Sequence, residues 1–275
     1  MLQSGPRSGT PAPRERPELP PARFFGKYMI VRKIAEGGFG EVYEAADVFS
    51  GRSLALKLPL INDDRALDDF LRELDIVGEL EHPNVVPIIE AEWVNGLPMI
   101  VYPLGECSIA DRIDAGGLWP SEAIAFAEQF LDGLAHVHDR GFLHCDLKPG
   151  NLIVFPGELL GISDFGLARD MLDEGVHTTS GTAEYMAPEH LNDGWVSTRS
   201  DVYEAAVVIL EMLTGWLPEN PLEIVLEDIL PDSQWARAIE PTLRKALSAR
   251  PEDRYKDAGE FASAFREAAR GRRVH

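Results

Sequence analysis

Two periodicities divide this chain. Between Tyr28 and Tyr102 the apolar residues fall in short runs and alternations: Y-M-I-V-R-K-I-A (28–35), G-E-V-Y-E-A-A (40–46), R-S-L-A-L-K-L-P (52–59), V-V-P-I-I-E (85–90) and L-P-M-I-V-Y (97–102). Such runs, bounded by Gly, Asn and Pro, predict five strands. Ser50-Gly51 marks a turn between two of them. One helical pattern interrupts the strands: from Asp64, the residues Leu67, Phe70, Leu71, Leu74, Val77 and Leu80 recur on one helix face. H-P-N (82–84) ends it, because a proline restricts the residue before it. After Pro103 the period changes. S-E-A-I-A-F-A-E-Q-F-L-D-G-L-A-H-V-H (121–138) is apolar on most faces, with Ser121 as its cap and Glu122 in its first turn. S-D-V-Y-E-A-A-V-V-I-L-E-M-L-T (200–214) has the same quality, and helices apolar all round belong in a core. Two amphipathic helices follow near 233–248 and 256–270.

This pattern predicts an α+β chain of two lobes. A small lobe over 24–101 carries a five-stranded antiparallel sheet with one main helix, a linker covers 102–106, and a mostly helical lobe covers 107–270. Residues 1–23 are rich in Pro, Gly, Ser and Arg and predict a disordered or polyproline-like leader; 271–275 form a basic tail.

Composition narrows the function classes. With 275 residues, 45% of them apolar, the chain can bury one large core or two modest ones. Its net charge of −20 argues against nucleic acid and anionic membrane as partners. Two cysteines, Cys107 and Cys145, without C-x-x-C spacing, fit a reducing compartment, and no run of 18 apolar residues is present. A cytoplasmic location is the expectation.

The candidate chemistry sits in a few short stretches. A-E-G-G-F-G-E-V (35–42) lies between two strands; glycines let a backbone close over phosphate oxygens, though an ordinary hairpin uses them too. Lys57, on a half-buried strand face, needs a partner, and Glu73 on the following helix can supply it. L-H-C-D-L-K-P-G-N (143–151) places an acid, a cation and an amide within six positions. Asp146 can accept a hydroxyl proton, Lys148 can neutralise a transferring phosphoryl, and Asn151 offers an amide oxygen to a hard cation. Thirteen residues beyond Asn151 comes D-F-G, where Asp164 is a second oxygen ligand. Either stretch alone could be a surface turn, but the two together in this order argue for a nucleotide–metal site.

With A-L-K, H-C-D-L-K-P-G-N, D-F-G-L-A-R, G-T-A-E-Y-M-A-P-E and S-D-V-Y in this order, residues 24–270 resemble the eukaryotic-type serine/threonine protein kinase catalytic domain. The compact form resembles stand-alone bacterial members. The resemblance implies ATP and Mg²⁺, with Mn²⁺ as a substitute, and protein Ser/Thr hydroxyls as acceptors. It implies Lys57 on the α- and β-phosphates, paired with Glu73; Gly37, Gly38 and Gly40 over the phosphates; Asp146 as base; Lys148 on the γ-phosphate; and Asn151 and Asp164 on the metal. It further implies Asp201 bracing the catalytic loop, a buried Glu189–Arg254 pair, and Ile34, Val42, Ala55 and Ile153 around the adenine. A linker carbonyl and the N–H two residues beyond it would bind the adenine edge. With Val101 guarding the back of the pocket these are the Tyr102 carbonyl and the Leu104 N–H; with Ile100 there, the N–H would fall on Pro103, which has none. Val101 is thus the expected guard, and its small size predicts a roomy back pocket.

Two departures stand out. Ala35 replaces the first loop glycine, which predicts modestly weaker nucleotide affinity. Cys145 replaces the arginine that in many kinases pairs with an activation-loop phosphate; a thiol cannot form that pair, so phosphorylation is expected to tune rather than license activity. Thr178, Thr179 and Ser180 are the expected autophosphorylation sites. A pseudokinase scaffold and a small-molecule kinase on the same fold are the rival readings. The kinase reading requires the Lys57 amine and the Asp164 carboxylate to meet in one cleft.

Overall fold

Strand alternation builds an upper sheet in the computed structural model, which describes residues 24–37, 40–61, 63–171, 177–178, 180–229 and 236–270. Its strands are β1 (Phe24–Phe25), β2 (Tyr28–Gly37), β3 (Gly40–Asp47), β4 (Ser53–Pro59), β5 (Glu90–Val94) and β6 (Leu97–Pro103). They pair antiparallel in the order β1-β2-β3-β4-β6-β5. The sixth strand, β1, is two residues long, too short to leave a periodicity. Register decides which side chains share a face. Leu56 pairs with Val101 on the face that holds Tyr28, Tyr43, Leu54, Leu58 and Met99, a small core of its own. On the opposite face Ala55 pairs with Tyr102 and Lys57 with Ile100.

The expected strand over 85–90 is not there. Val85 makes one parallel bridge to Ile162, and the strand begins at Glu90. Two forces pull the segment away. Pro87 cannot donate to a ladder, and Asn84 ties the chain down instead, its Nδ2 donating to the Leu160 carbonyl at 2.7 Å and its carbonyl accepting the Ile162 N–H at 2.9 Å.

Helix α1 (Asp64–Glu79) starts where Asp63 accepts the Ala66 N–H at 2.8 Å. It turns Phe70, Glu73, Ile76 and Val77 inward, all 5% exposed or less. Beyond β6 come β7 (Cys107–Ser108), α2 (Ile109–Asp114), α3 (Pro120–Asp139) and β8 (Phe142–Leu143). Next are β9 (Leu152–Phe155), β10 (Leu159–Ile162), β11 (Arg169–Asp170), α4 (Pro188–Asp193) and α5 (Thr198–Thr214). Last are α6 (Leu226–Ile229), α7 (Ala236–Ala246) and α8 (Ala258–Arg270). Ser121 does not cap α3: the chain enters through Pro120 at the first helical position, and Glu122 accepts the Trp119 N–H at 3.2 Å. Helices α3 and α5 form the centre of the large core with Phe126, Phe130, Ile162, Phe165, Val202, Phe261 and Phe265. Contact between α3 and the 82–86 segment is close enough that a side chain at Gly133 would meet the Asn84 carbonyl at 2.6 Å. No described helix is long and apolar enough to cross a membrane.

Candidate active site

The cleft face of the sheet brings Lys57 to two acids. Its amine lies 2.7 and 2.8 Å from the Glu73 carboxylate oxygens and 2.7 Å from Asp164 Oδ1, a residue 107 positions away. Burial by itself works against a charge on Lys57, but Asp164 and Glu73 outweigh it and hold the ammonium above its ordinary range. Burial would likewise lift the Asp164 carboxyl; the Lys57 contact wins and holds it below the usual carboxylate range. Asp164 has a φ of +64°, a left-handed conformation that strains a non-glycine residue and is sustained here by these contacts. The Tyr102 hydroxyl donates to Glu73 Oε1 at 2.8 Å and completes the cluster.

Below it, residues 144–151 form the loop between β8, which pairs with β11, and β9. Helix α5 holds the backbone of that loop. Asp201 accepts the His144 N–H at 2.8 Å and the Cys145 N–H at 3.0 Å, and Glu204 accepts the Leu147 N–H at 3.3 Å. His138 meets the same Asp201 carboxylate at 3.0 Å. Asp146 is 4% exposed, and its side chain is held by three groups. Thr182 Oγ1 donates to it at 2.8 Å, Lys148 Nζ at 2.6 Å and Asn151 Nδ2 at 3.3 Å. Asn151 Nδ2 also donates to the Asp146 carbonyl at 2.8 Å.

Between the two clusters is a cavity of about 470 Å³. Ile34, Val42, Ala55, Lys57, Tyr102, Leu104, Asn151, Ile153 and Asp164 line it, which brings together nine residues predicted from sequence. Gly37, Gly40, Glu73, Asp146 and Lys148 stand outside the lining; Glu73 and Asp146 connect to it through Lys57 and Asn151. Gly38 lies outside the described residues. Arg32, Val86, Gly105, Cys107, Ser108 and Asp111 line the cavity without having been expected. Arg32 stands two positions before Ile34 on β2, so alternation could have found it; Cys107 and Asp111 are brought in by the linker, which carries no periodic signal.

Residues 28–256 match the protein kinase domain model. The serine/threonine-protein kinase PknD of Mycobacterium tuberculosis is 33% identical over 264 residues, 89% of this chain and 40% of that protein. PrkC of Bacillus subtilis is 30% identical over 265 residues, 90% of this chain and 41% of that protein. PknH of Mycobacterium bovis is 34% identical over 263 residues, 89% and 44%. The chain belongs to the protein kinase family. It spans about two fifths of the length of these relatives.

In this kinase domain the guard position needs correcting. Val101, fully buried, points into the upper core with Leu56 and Met99, on the sheet face away from the cleft. Tyr102 occupies the cleft face and lines the cavity with its hydroxyl on Glu73, a bulkier side chain than the valine expected there. The parity of β6 decides this: one residue of slip exchanges the two faces.

The glycine loop differs in its reasons as well. A Cβ at Gly40 would meet the Leu58 carbonyl at 2.3 Å, and its φ is +141°, so this glycine is needed for packing against β4. Ala35 is paired within β2, opposite Val42, and carries no left-handed strain.

Cys145 is 1% exposed, packed with Leu143, Leu167 and Val196. Burial first, then Asp201 and Glu204, push its thiol well above the ordinary value, which favours the neutral form. Thr178 is 5% exposed and its hydroxyl accepts the Ser180 N–H at 3.1 Å, which closes it to phosphorylation in this conformation. Ser180 is half-buried, and Thr179 lies outside the described residues. Arg254 meets both oxygens of Glu189, at 2.6 and 2.8 Å, and this pair ties α4 to the end of the large lobe.

Proposed function

We propose that this domain transfers the γ-phosphoryl group of ATP to serine or threonine hydroxyls of proteins. The observation that carries the reading is the convergence of Lys57, Glu73 and Asp164 on one side of the cavity and of Asp146, Lys148 and Asn151 on the other. Lys57 holds the α- and β-phosphates, kept charged and aimed by its two carboxylates. The donor set fits Mg²⁺, or Mn²⁺ in its place. Asn151 commits its amide nitrogen to Asp146, which leaves its oxygen for a ligand, and Asp164 uses only one oxygen on Lys57. Bound metal would neutralise phosphate charge as it shifts toward the leaving oxygen.

Asp146 orients the acceptor hydroxyl and takes its proton, a contribution typically worth about 10²–10⁴-fold. Lys148, hydrogen-bonded to Asp146 and 3.1 Å from Thr182 Oγ1, stabilises the transferred group. Ile34, Val42, Ala55 and Ile153 enclose the adenine. With Tyr102 as guard, the adenine edge meets the Pro103 carbonyl and the Gly105 N–H rather than the Tyr102 carbonyl and the Leu104 N–H. Gly105 lines the cavity, where a side chain would strike Ile153 Cγ2 at 2.1 Å. The Lys148–Asp146–Thr182 network supports Ser/Thr acceptors, and a site that consumes ATP suits the cytoplasm. Labelled ATP with a generic protein acceptor tests the reading: the wild-type domain labels the acceptor, and Asp146→Asn loses about 10³-fold of the rate. An equal rate in both would refute it.

A further inference from the structure

Helix α5 carries a second acid that the kinase reading leaves unused. Glu204 stands one turn beyond Asp201 on the same face, and it is 2% exposed on a helix otherwise buried among apolar side chains. A carboxylate in that position is costly unless it is paired. It has two partners. Glu204 Oε2 accepts the Leu147 N–H, directly after Asp146, at 3.3 Å, and Oε1 meets His190 Nδ1 of α4 at 3.1 Å.

His190 is 1% exposed and faces the activation segment with its other edge. Its other ring nitrogen, Nε2, is buried and approaches the Ser180 backbone, an approach that favours the charged ring. Gly181 is packed between the two parts: a Cβ there would lie 3.1 Å from the Cys145 carbonyl and 3.5 Å from His190 Cε1. Burial lifts the Glu204 carboxyl to about 7. Burial also works against charge on His190, yet the bond to Glu204 raises that imidazole above its ordinary value.

We infer that the buried Glu204–His190 pair is a positioning element for phosphoryl transfer: it joins the activation segment at Ser180–Gly181 to the catalytic loop at Leu147 and holds Asp146 in place without a phosphate on the segment. The inference rests on the protein kinase reading given above. It accounts for Cys145. An uncharged thiol packed in an apolar pocket cannot form a charged link from the loop to the segment, and the histidine–glutamate bridge adds a link through α4 and α5 beside the direct Thr182–Asp146 hydrogen bond.

The test compares wild type, Glu204→Gln, His190→Gln and the double variant on a generic protein acceptor, with Asp146→Asn as control. Each single variant is expected to lower kcat by about 10-fold, within the usual range of coupling between sites, while the KM for ATP stays within about twofold. The double variant should be no worse than the weaker single one, because the pair acts as a unit. Unchanged kcat in both singles would overturn the inference, as would a KM for ATP that rises in step with the loss of kcat. Wild-type protein treated with phosphatase, its unphosphorylated mass verified, gives a second readout that needs no variant. It should keep its rate; loss of most of the rate on dephosphorylation would overturn the inference even if the variants fail to fold. Wild type no faster than Asp146→Asn would instead sink the kinase reading itself.

Discussion

Tyr102 shows how much one hydroxyl can do in this cleft. It donates to Glu73 while Glu73 holds Lys57, so this side chain also braces the helix that delivers the acid. A hydrogen bond to a charged group is worth about 1.5–3 kcal/mol. Tyr102→Phe should therefore cost roughly 1.5 kcal/mol and lower Tm by about 3–6 °C in a domain of this size, with a few-fold rise in the KM for ATP; differential scanning fluorimetry and steady-state kinetics check this. The two cysteines should part company in an alkylation experiment. Cys107 lines the cavity and is half-buried, whereas Cys145 is shielded and its raised pKa keeps it a neutral thiol even at pH 8. Iodoacetamide on the native domain should label Cys107 alone, more slowly when Mg·ATP is present, as read by peptide mass spectrometry. Cys145 labelling at a comparable rate would contradict the packing described.

At the scale of elements, α5 is the beam on which the catalytic loop rests. Asp201 and Glu204 together accept three consecutive-region N–H groups, those of His144, Cys145 and Leu147. The Glu189–Arg254 pair does similar work between α4 and the segment before α8, with the Arg254 side chain fully buried. Removing one partner of a buried pair leaves the other charge uncompensated, at a cost of about 3–5 kcal/mol. Arg254→Ala should lose that much in urea unfolding, and Glu189→Leu with Arg254→Leu should lose less than Arg254→Ala alone. Much of this level was legible in the sequence. The all-round apolar character of α3 and α5 placed them in the core, and the period of α1 placed Glu73 on a helix. The segment 85–90 was not legible, because its apolar run is drawn to β10 by Asn84, a contact with residues more than 70 positions away.

For the molecule as a whole, the cleft between two separate cores is the functional unit. Ligand that binds only the closed site stabilises the fold by mass action, about 2.7 kcal/mol at a hundred times its Kd. A non-hydrolysable ATP analogue with Mg²⁺ should raise Tm by about 5–10 °C, EDTA should remove part of that gain, and Lys57→Met should abolish it. A thermal shift in Lys57→Met equal to that of wild type would show that the nucleotide binds elsewhere.

The sequence by itself determined the chemical inventory and the elements that carry it. Lys57, Asp146, Asn151 and Asp164 were readable because motif spacing and local periodicity are short-range properties of the chain. Only the tertiary structure decided which way side chains face and which distant groups meet. Tyr102 rather than Val101 enters the cleft because strand register is set by pairing with β4, and α4 meets α5 at His190 and Glu204 because the large core packs them together. Such contacts depend on packing between elements far apart in the chain, and no local pattern records them.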